Sequence, residues 1–448
     1  MSQTIVHLGA EHCVTGSAHL LQVNGLNILI DCGSIQGDDQ AVPIEDWPVS
    51  PADIDYVFLT HAHIDHIGRL PQLIWKGFKG EILCTHATKA LMDYMLEDAL
   101  RFSDFSEEQC IQILQTLENL ARGCEYQQPY DLKADIRFMF GQTGHILGSC
   151  FIRFEWDQPA FSVVFSGDVG VSHTPLLPDP AIPAPCDLLV MESTYGDRCH
   201  EQRQERVKRL GEALTRALND KGKVLIPAFS LGRTQEILYE IDRLFSDPKW
   251  QQQFPELSGP HALIPVFIDS PLGEKLTTIY SRLSQFWDAE ARALLHSGDH
   301  PLNFERLQIV KSYQEHQELL RMSDPAIIIA GSGMCTGGRI IDHLVQGLED
   351  PRTDVFFVGY QAQGTPGRNI LYYSQKPDGY VWLDRQKVFI RAKIHELSGY
   401  SAHADQQDLL NWVKAIPEKP QIIKLVHGEP EAQETLRSRL QQQGYHAV

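Results

Sequence analysis

Four residues able to bind a metal crowd into six positions, His61-Ala62-His63-Ile64-Asp65-His66, between the apolar run Tyr56–Leu59 and a helical pattern reaching Trp75. On an extended segment residues i and i+2 point the same way, so His61 and His63 can share one ion. Where the chain turns into helix, Asp65 and His66 point elsewhere and can serve a second ion about 3.5–4 Å away, the spacing of two-metal hydrolases. Imidazole plus carboxylate suits zinc, with manganese or iron as alternatives. A lone histidine reads as an ordinary core or surface residue; four ligand-capable side chains at a strand end do not. Two ions need more donors than one loop provides, and other strand ends offer them. His145 lies in the tight loop Thr143–Ser149, Asp168 closes Val164–Gly167 with a carboxylate able to bridge, and His427 ends the last apolar run. Asp31, closing Ile28–Ile30, is a candidate for orienting a ligand histidine from behind. His86 lacks a partner, and His7, His19, His173, His200, His261, His296, His300 and His316 belong to no motif.

These donors need strands to hold them. Short apolar runs at Ile5–Leu8, Ala18–Val23 and Ile28–Ile30, punctuated by Asn24-Gly25, read as hairpins. Strands at 56–59, 82–84, 136–140, 150–156 and 161–166 alternate with helical patterns at about 87–102 and 104–122, a layered α/β arrangement. From about residue 200 the texture changes. An amphipathic helix, Glu201 to Leu218, precedes buried runs at 223–227, 266–269, 326–330 and 355–358, each of the first, third and fourth followed by a loop rich in Gly or polar residues. Buried strands alternating with helices imply a largely parallel sheet. Strand-like runs at 387–394 and 422–426 then flank a helix at 405–415. The expected division is a first domain segment over 1–195, an inserted α/β domain over 196–378, and a return segment over 379–448.

The 448 residues carry 39 Lys plus Arg against 58 Asp plus Glu, a formal charge of −19. That balance excludes a protein coated in basic surface for gripping a polyanion, though not one with a local positive site. No run of 18 apolar residues exists and the first residues lack a signal-peptide pattern, so no membrane association is expected. Nine cysteines, Cys13 to Cys335, include no C-x-x-C pair, which points to a reducing cytoplasm.

The pattern resembles the metallo-β-lactamase superfamily, with Asp31, His61-x-His63-x-Asp65-His66, His145 and Asp168 matching its first four motifs in order. It resembles more specifically the β-CASP nucleases. Met191-Glu192-Ser193-Thr194-Tyr195-Gly196-Asp197 looks like their motif A, Leu397 to Asp405 with His403 like motif B, and the segment holding His427 like motif C. The resemblance implies an αββα sandwich with an inserted, largely parallel α/β (β-CASP) domain. It puts His61, His63, His145 and Asp168 on one zinc, and Asp65, His66, bridging Asp168 and His427 on the other: two Zn2+ per chain. An aliphatic residue at motif C is typical of members acting on DNA, so His427 favours RNA. The expected relatives are stand-alone bacterial and archaeal ribonucleases akin to the eukaryotic 3′-end cleavage endonuclease, without N-terminal KH domains or the long C-terminal extension of ribonuclease J.

The implied activity is hydrolysis of single-stranded RNA, endonucleolytic, 5′→3′ exonucleolytic or both, by metal-activated hydroxide. Asp65 would also orient the hydroxide, His403 would protonate the leaving 3′-oxygen, and Glu192 would hold His403 protonated. Phosphate contacts are expected from Ser332 and Gly333 in the glycine-rich loop 331–338, and from Ser230 and Arg233 in an equivalent loop. The glycines would otherwise serve only close packing. Rival readings are a thioester or lactone hydrolase of the same fold, and a metal-free scaffold in an RNA-processing complex. The oligomeric state is left at monomer or homodimer. With few phosphates neutralised, RNA binding should depend shallowly on salt.

Overall fold

The computed structural model describes residues 3–200, 203–258 and 264–448; Glu201 and His261 lie outside them. By contact the chain divides into two compact units, residues 1–199 with 403–448, and residues 200–402.

The first unit is built on two six-stranded sheets. One runs Thr4–Gly9, Ala18–Val23, Leu26–Ile30, Tyr56–Phe58, Glu81–Thr85, Ala121–Cys124, antiparallel for the first three strands and parallel thereafter. The other runs Ile422–Leu425, Leu188–Met191, Ala160–Phe165, Cys150–Asp157, Ile136–Gln142, Tyr130–Asp131. Its first two pairings are parallel and the rest antiparallel. Leu21, Ile28, Ile30 and Phe58 of one sheet pack against Phe138, Phe140, Phe154 and Phe165 of the other. Phe58 sits at the middle, its ring edge-on to Phe138 and Phe154 at 4.8 Å each. Truncating such a ring to alanine costs about 3–5 kcal/mol.

The outer faces are apolar too, which is why these strands read as continuous hydrophobic runs. Helix His86–Leu100 covers the first sheet through Glu81–Thr85 and Ala121–Cys124. Leu409, Trp412 and Val413 of helix Gln406–Ala415, with Leu436 and Leu440 of helix Pro430–Gln442, cover Phe151, Val164, Leu189 and Leu425 of the second. The result is an αββα sandwich, as the resemblance implied.

The second unit has a six-stranded sheet in the order Leu307–Ile309, Val266–Ile268, Ile327–Ala330, Val224–Pro227, Asp354–Phe357, Lys393–Glu396. Every pairing in it is parallel. A hairpin, Tyr380–Leu383 with Gln386–Phe389, packs its Val381, Leu383 and Val388 into the same core. By contact this unit continues to Ala402, past the 379 expected for the start of the return segment. The physical reason is strand Lys393–Glu396: its alternation resembles the start of a return segment, but it completes the parallel sheet beside Asp354–Phe357.

Candidate metal centre

Strand Tyr56–Phe58 delivers the chain to a short extended stretch, and helix Ile64–Ile67 begins with His63 as its N-cap. The extended geometry aims His61 and His63 at one point, Nε2 to Nδ1 3.0 Å apart. His145 Nε2 lies 3.2 Å from His63 Nδ1. Asp168 Oδ2 closes the set at 3.5 Å from His61 Nε2 and 3.4 Å from His145 Nε2.

A second set forms around the other oxygen of the same carboxylate. His66 Nε2 and His427 Nε2 are 3.2 Å apart. Asp168 Oδ1 is 3.4 and 3.5 Å from them, and Asp65 Oδ2 4.0 and 3.9 Å. Four ligands about 2.0–2.1 Å from a tetrahedral zinc stand about 3.3 Å from one another. The first set matches that spacing; in the second the His66, His427 and Asp168 edges match, while Asp65 stands farther out. The donor chemistry fits as well, and buried His145 Nδ1 and Asp168 Oδ1 have no hydrogen-bond partner among the described residues. A buried polar atom without a partner is costly, and bridging two ions would give Asp168 Oδ1 its use.

The electrostatics carry the same strain. Burial pushes His61 and His145 well below the usual histidine range, aided by neighbouring histidines and opposed by Asp168. His66 goes the other way, because Asp168 and Asp31 outweigh its burial. Burial would raise Asp168, but the histidines around it, His427 and His66 foremost, hold it well down.

Several of the donors are anchored from behind. Asp31 Oδ2 accepts from His66 Nδ1 at 2.7 Å, which turns Nε2 toward the centre. Thr60 fixes Asp31 in turn, donating N–H at 2.8 Å and Oγ1–H at 2.9 Å. Thr194 Oγ1 meets His427 Nδ1 at 3.1 Å. Ser149 Oγ accepts from the backbone of His145 at 3.0 Å and Ile146 at 3.2 Å. Gly33 is required: a Cβ there would stand 1.5 Å from the carbonyl oxygen of Asp65. Thr60 and Thr194 were not singled out in the sequence; adjacency to His61 and to Glu192-Ser193 was their only signal.

Glu192 and His403, 211 residues apart, meet in the first unit. Glu192 follows strand Leu188–Met191, is 1% exposed, and accepts from Val169 N at 2.6 Å. Its carboxylate lies 3.0 and 3.2 Å from His403 Nδ1. The opposite nitrogen, His403 Nε2, is 3.8 Å from Asp168 Oδ2. Burial would lower His403, but Glu192 and then Asp168 outweigh it and raise its pKa to about 9.

The expected phosphate contacts fall in the second unit, past the carboxyl ends of its parallel strands. Ser230 Oγ lies 3.2 Å from Ser270 Oγ. Ser332 Oγ accepts from Thr336 N at 2.9 Å. A Cβ on Gly333 would stand 2.8 Å from the backbone of Phe229, so close packing requires a glycine there. Arg233 departs from expectation. It is 5% exposed and ion-paired with Glu236 in a buried group that includes Arg206 and Glu240, so its charge is spent internally.

A further histidine cluster escaped the sequence reading. Asp269 Oδ2 accepts from His316 Nδ1 and His343 Nε2, both at 2.6 Å, and Arg339 donates to Oδ1 at 2.7 Å. Contacts this short to a single oxygen are hydrogen bonds rather than the edges of a metal polyhedron. Burial would raise Asp269, but these three donors hold it down at about 2.

An αββα sandwich presenting two donor sets at its strand ends defines a metal-dependent hydrolase. Residues 13–228 match the metallo-beta-lactamase superfamily, 234–370 the Beta-Casp domain, and 387–448 the Zn-dependent metallo-hydrolase RNA specificity domain. The chain belongs to the metallo-β-lactamase superfamily and, within it, to the β-CASP proteins. It is 39% identical over 432 residues to Ribonuclease TTHA0252 of Thermus thermophilus, covering 95% of this chain and 93% of that one. It is 28% identical to Transcription termination factor FttA of Methanocaldococcus jannaschii (94% and 66% covered) and 29% to Cleavage and polyadenylation specificity factor 73 of Drosophila melanogaster (97% and 61%). The chain thus spans about two thirds or less of those two longer relatives. A solved structure of a protein of unknown function from Enterococcus faecalis shares the fold, with a TM-score of 0.55 at 13% identity, covering 100% of this chain and 98% of that one.

Proposed function

We propose that this chain is a ribonuclease that holds two zinc ions and hydrolyses phosphodiester bonds of single-stranded RNA, endonucleolytically, 5′→3′ exonucleolytically or both. His61, His63, His145 and Asp168 would hold one ion and Asp65, His66, Asp168 and His427 the other, with manganese an alternative occupant. When bound, such ions supply Lewis acidity toward the phosphate and a hydroxide nucleophile near neutral pH. Asp65, at the open corner of its set, orients the attacking oxygen. His403 donates its Nε2 proton to the leaving 3′-oxygen, and Glu192 keeps that proton in place by pairing with Nδ1. Ser230 and Ser332 remain the candidates for phosphate contact in the second unit.

The observation that carries this reading is the Glu192–His403 dyad, in which Nδ1 faces Glu192 and the opposite nitrogen, Nε2, stands 3.8 Å from the shared Asp168 carboxylate. A poor leaving group such as a ribose 3′-alkoxide needs that acid. The organisation we propose is a hydrolase core interrupted by the β-CASP unit. Nine unpaired cysteines support a reducing cytoplasm, and no helix among the described residues is long and apolar enough to cross a membrane.

The test is bound-metal analysis with cleavage of 5′-labelled linear and circular single-stranded RNA. Two zincs and labelled fragments are expected, and cutting of the circle would establish endonuclease action. A metal-loaded chain inert on RNA but active on a thioester would overturn the proposal.

A further inference from the structure

The hairpin Tyr380–Leu383/Gln386–Phe389 buries Val381, Leu383 and Val388 on one face. The other face of a solvent-facing antiparallel pair is ordinarily polar. Here it carries Tyr380, Trp382, Lys387 and Phe389, with Tyr380 opposite Phe389 and Trp382 opposite Lys387. All three rings are exposed, Trp382 at 62%. Helix Pro366–Tyr373 prolongs the surface: Tyr373 stacks on Tyr380 at 6.4 Å and 14°, and Tyr372 lies edge-on to Tyr373 at 5.1 Å. Lysines sit over these rings, Lys387 Nζ at 4.0 Å from the Tyr380 centroid and Lys376 Nζ at 4.9 Å from that of Tyr372.

Charge decides what such a face receives. Residues 366–391 hold five basic and two acidic side chains, a net +3 within a chain of −19. Protein interfaces are depleted in lysine at their centres. Exposed rings interleaved with cations are how proteins take single-stranded nucleic acid without regard to sequence, bases against rings and phosphates on the cations. We propose that this face is a stacking platform for single-stranded RNA, with bases against Trp382, Tyr380 and Phe389 and phosphates on Lys376 and Lys387. It rests on the ribonuclease reading, adds a holding surface separate from the cutting residues, and supplies the local positive site that the overall charge left open.

The probe is a fluorescent 20-nucleotide single-stranded RNA with a cleavage-resistant 2′-O-methyl phosphorothioate backbone, bound to the metal-loaded full chain and followed by anisotropy. The Tyr380→Ala, Trp382→Ala double variant should bind at least about tenfold more weakly, with an unchanged salt slope and unchanged hydrolysis of bis(p-nitrophenyl) phosphate. Trp382→Phe, which keeps a ring, should bind like the parent. The Lys376→Ala, Lys387→Ala variant should lessen the log–log salt slope by about 1.4, two phosphate contacts' worth. Parental affinity in the aromatic double variant, while the parent binds and cleaves RNA, overturns the platform and leaves the ribonuclease reading standing. A changed mass by light scattering at unchanged RNA affinity overturns it in favour of a protein contact. A parent that neither binds nor cleaves RNA overturns both.

Discussion

Glu192→Gln removes one charge and almost no volume. Its oxygen can still accept from Val169 N, and Glu192 belongs to neither donor set, so metal content should not change. What changes is His403. Its pKa of about 9 stands 2.5 above the ordinary 6.5 because Glu192 and Asp168 outweigh burial; at 1.36 kcal/mol per unit that is about 3 kcal/mol favouring the charged ring. Without the Glu192 charge the pKa should return to 6.5 or lower. At pH 8 the protonated fraction then falls from about 0.9 to about 0.03, a rate loss of about thirtyfold, whereas at pH 6 the loss is under about twofold. The linkage has the same sign. A histidine raised in the folded state contributes stability that is complete below its unfolded pKa of 6.5 and lost as pH rises through about 9. The assay is kcat on 5′-labelled single-stranded RNA from pH 5.5 to 9.5 with metal content measured in parallel. An alkaline limb in Glu192→Gln that coincides with the parent's, or a loss equal at pH 6 and pH 8, would refute the assignment.

His403→Ala should keep its metal and lose most of kcat on RNA while retaining much of its rate on a p-nitrophenyl phosphodiester, whose leaving group needs no proton; equal losses on both would count against a general acid. Asp31→Ala and Thr194→Ala, each touching a donor histidine from behind, should weaken metal retention about 10–100-fold in chelator titrations; unchanged retention would show that the histidines orient themselves. Asp242, raised to about 7 by burial and then by Asp299 against Arg243, contributes stability that is full below its unfolded value of 3.8 and lost as pH rises to 7. Asp242→Asn should therefore melt higher than the parent by a margin that grows between pH 4 and 7 and is flat above, and equal melting temperatures at pH 8 would refute it.

The metal loop was legible because its information is local: the i, i+2 alternation of an extended strand end and the turn into helix are written in six consecutive residues. His145, Asp168 and His427 were findable as donors at strand ends, though nothing in their spacing says which pair with which. Glu192 and His403 could be joined only through the family resemblance, since 211 residues separate them. Arg233 misled because a strand–loop–helix position looks exposed in sequence, and its burial depends on Arg206, Glu236 and Glu240 arriving from two helices. The contact division falls at 402 rather than at the expected 379 for a related reason. Alternation in Lys393–Glu396 identifies a strand but not its neighbour, and the neighbour turned out to be Asp354–Phe357. The His316–Asp269–His343 network was invisible because its members are spread over three elements.

The first unit is discontinuous, and this gives the site a history as well as a geometry. His403 and His427 follow the inserted unit in the chain, and strand Ile422–Leu425 joins its sheet beside Leu188–Met191 only after some two hundred intervening residues have been made. A growing polypeptide that has emerged as far as Ala402 already carries His61, His63, Asp65, His66, His145 and Asp168, yet it has neither the proton donor nor the second donor set's remaining imidazole. By the roles proposed for those residues, such a chain lacks what a turnover requires. The order of synthesis thus delivers the proposed proton donor and the last imidazole only after the insert has been built.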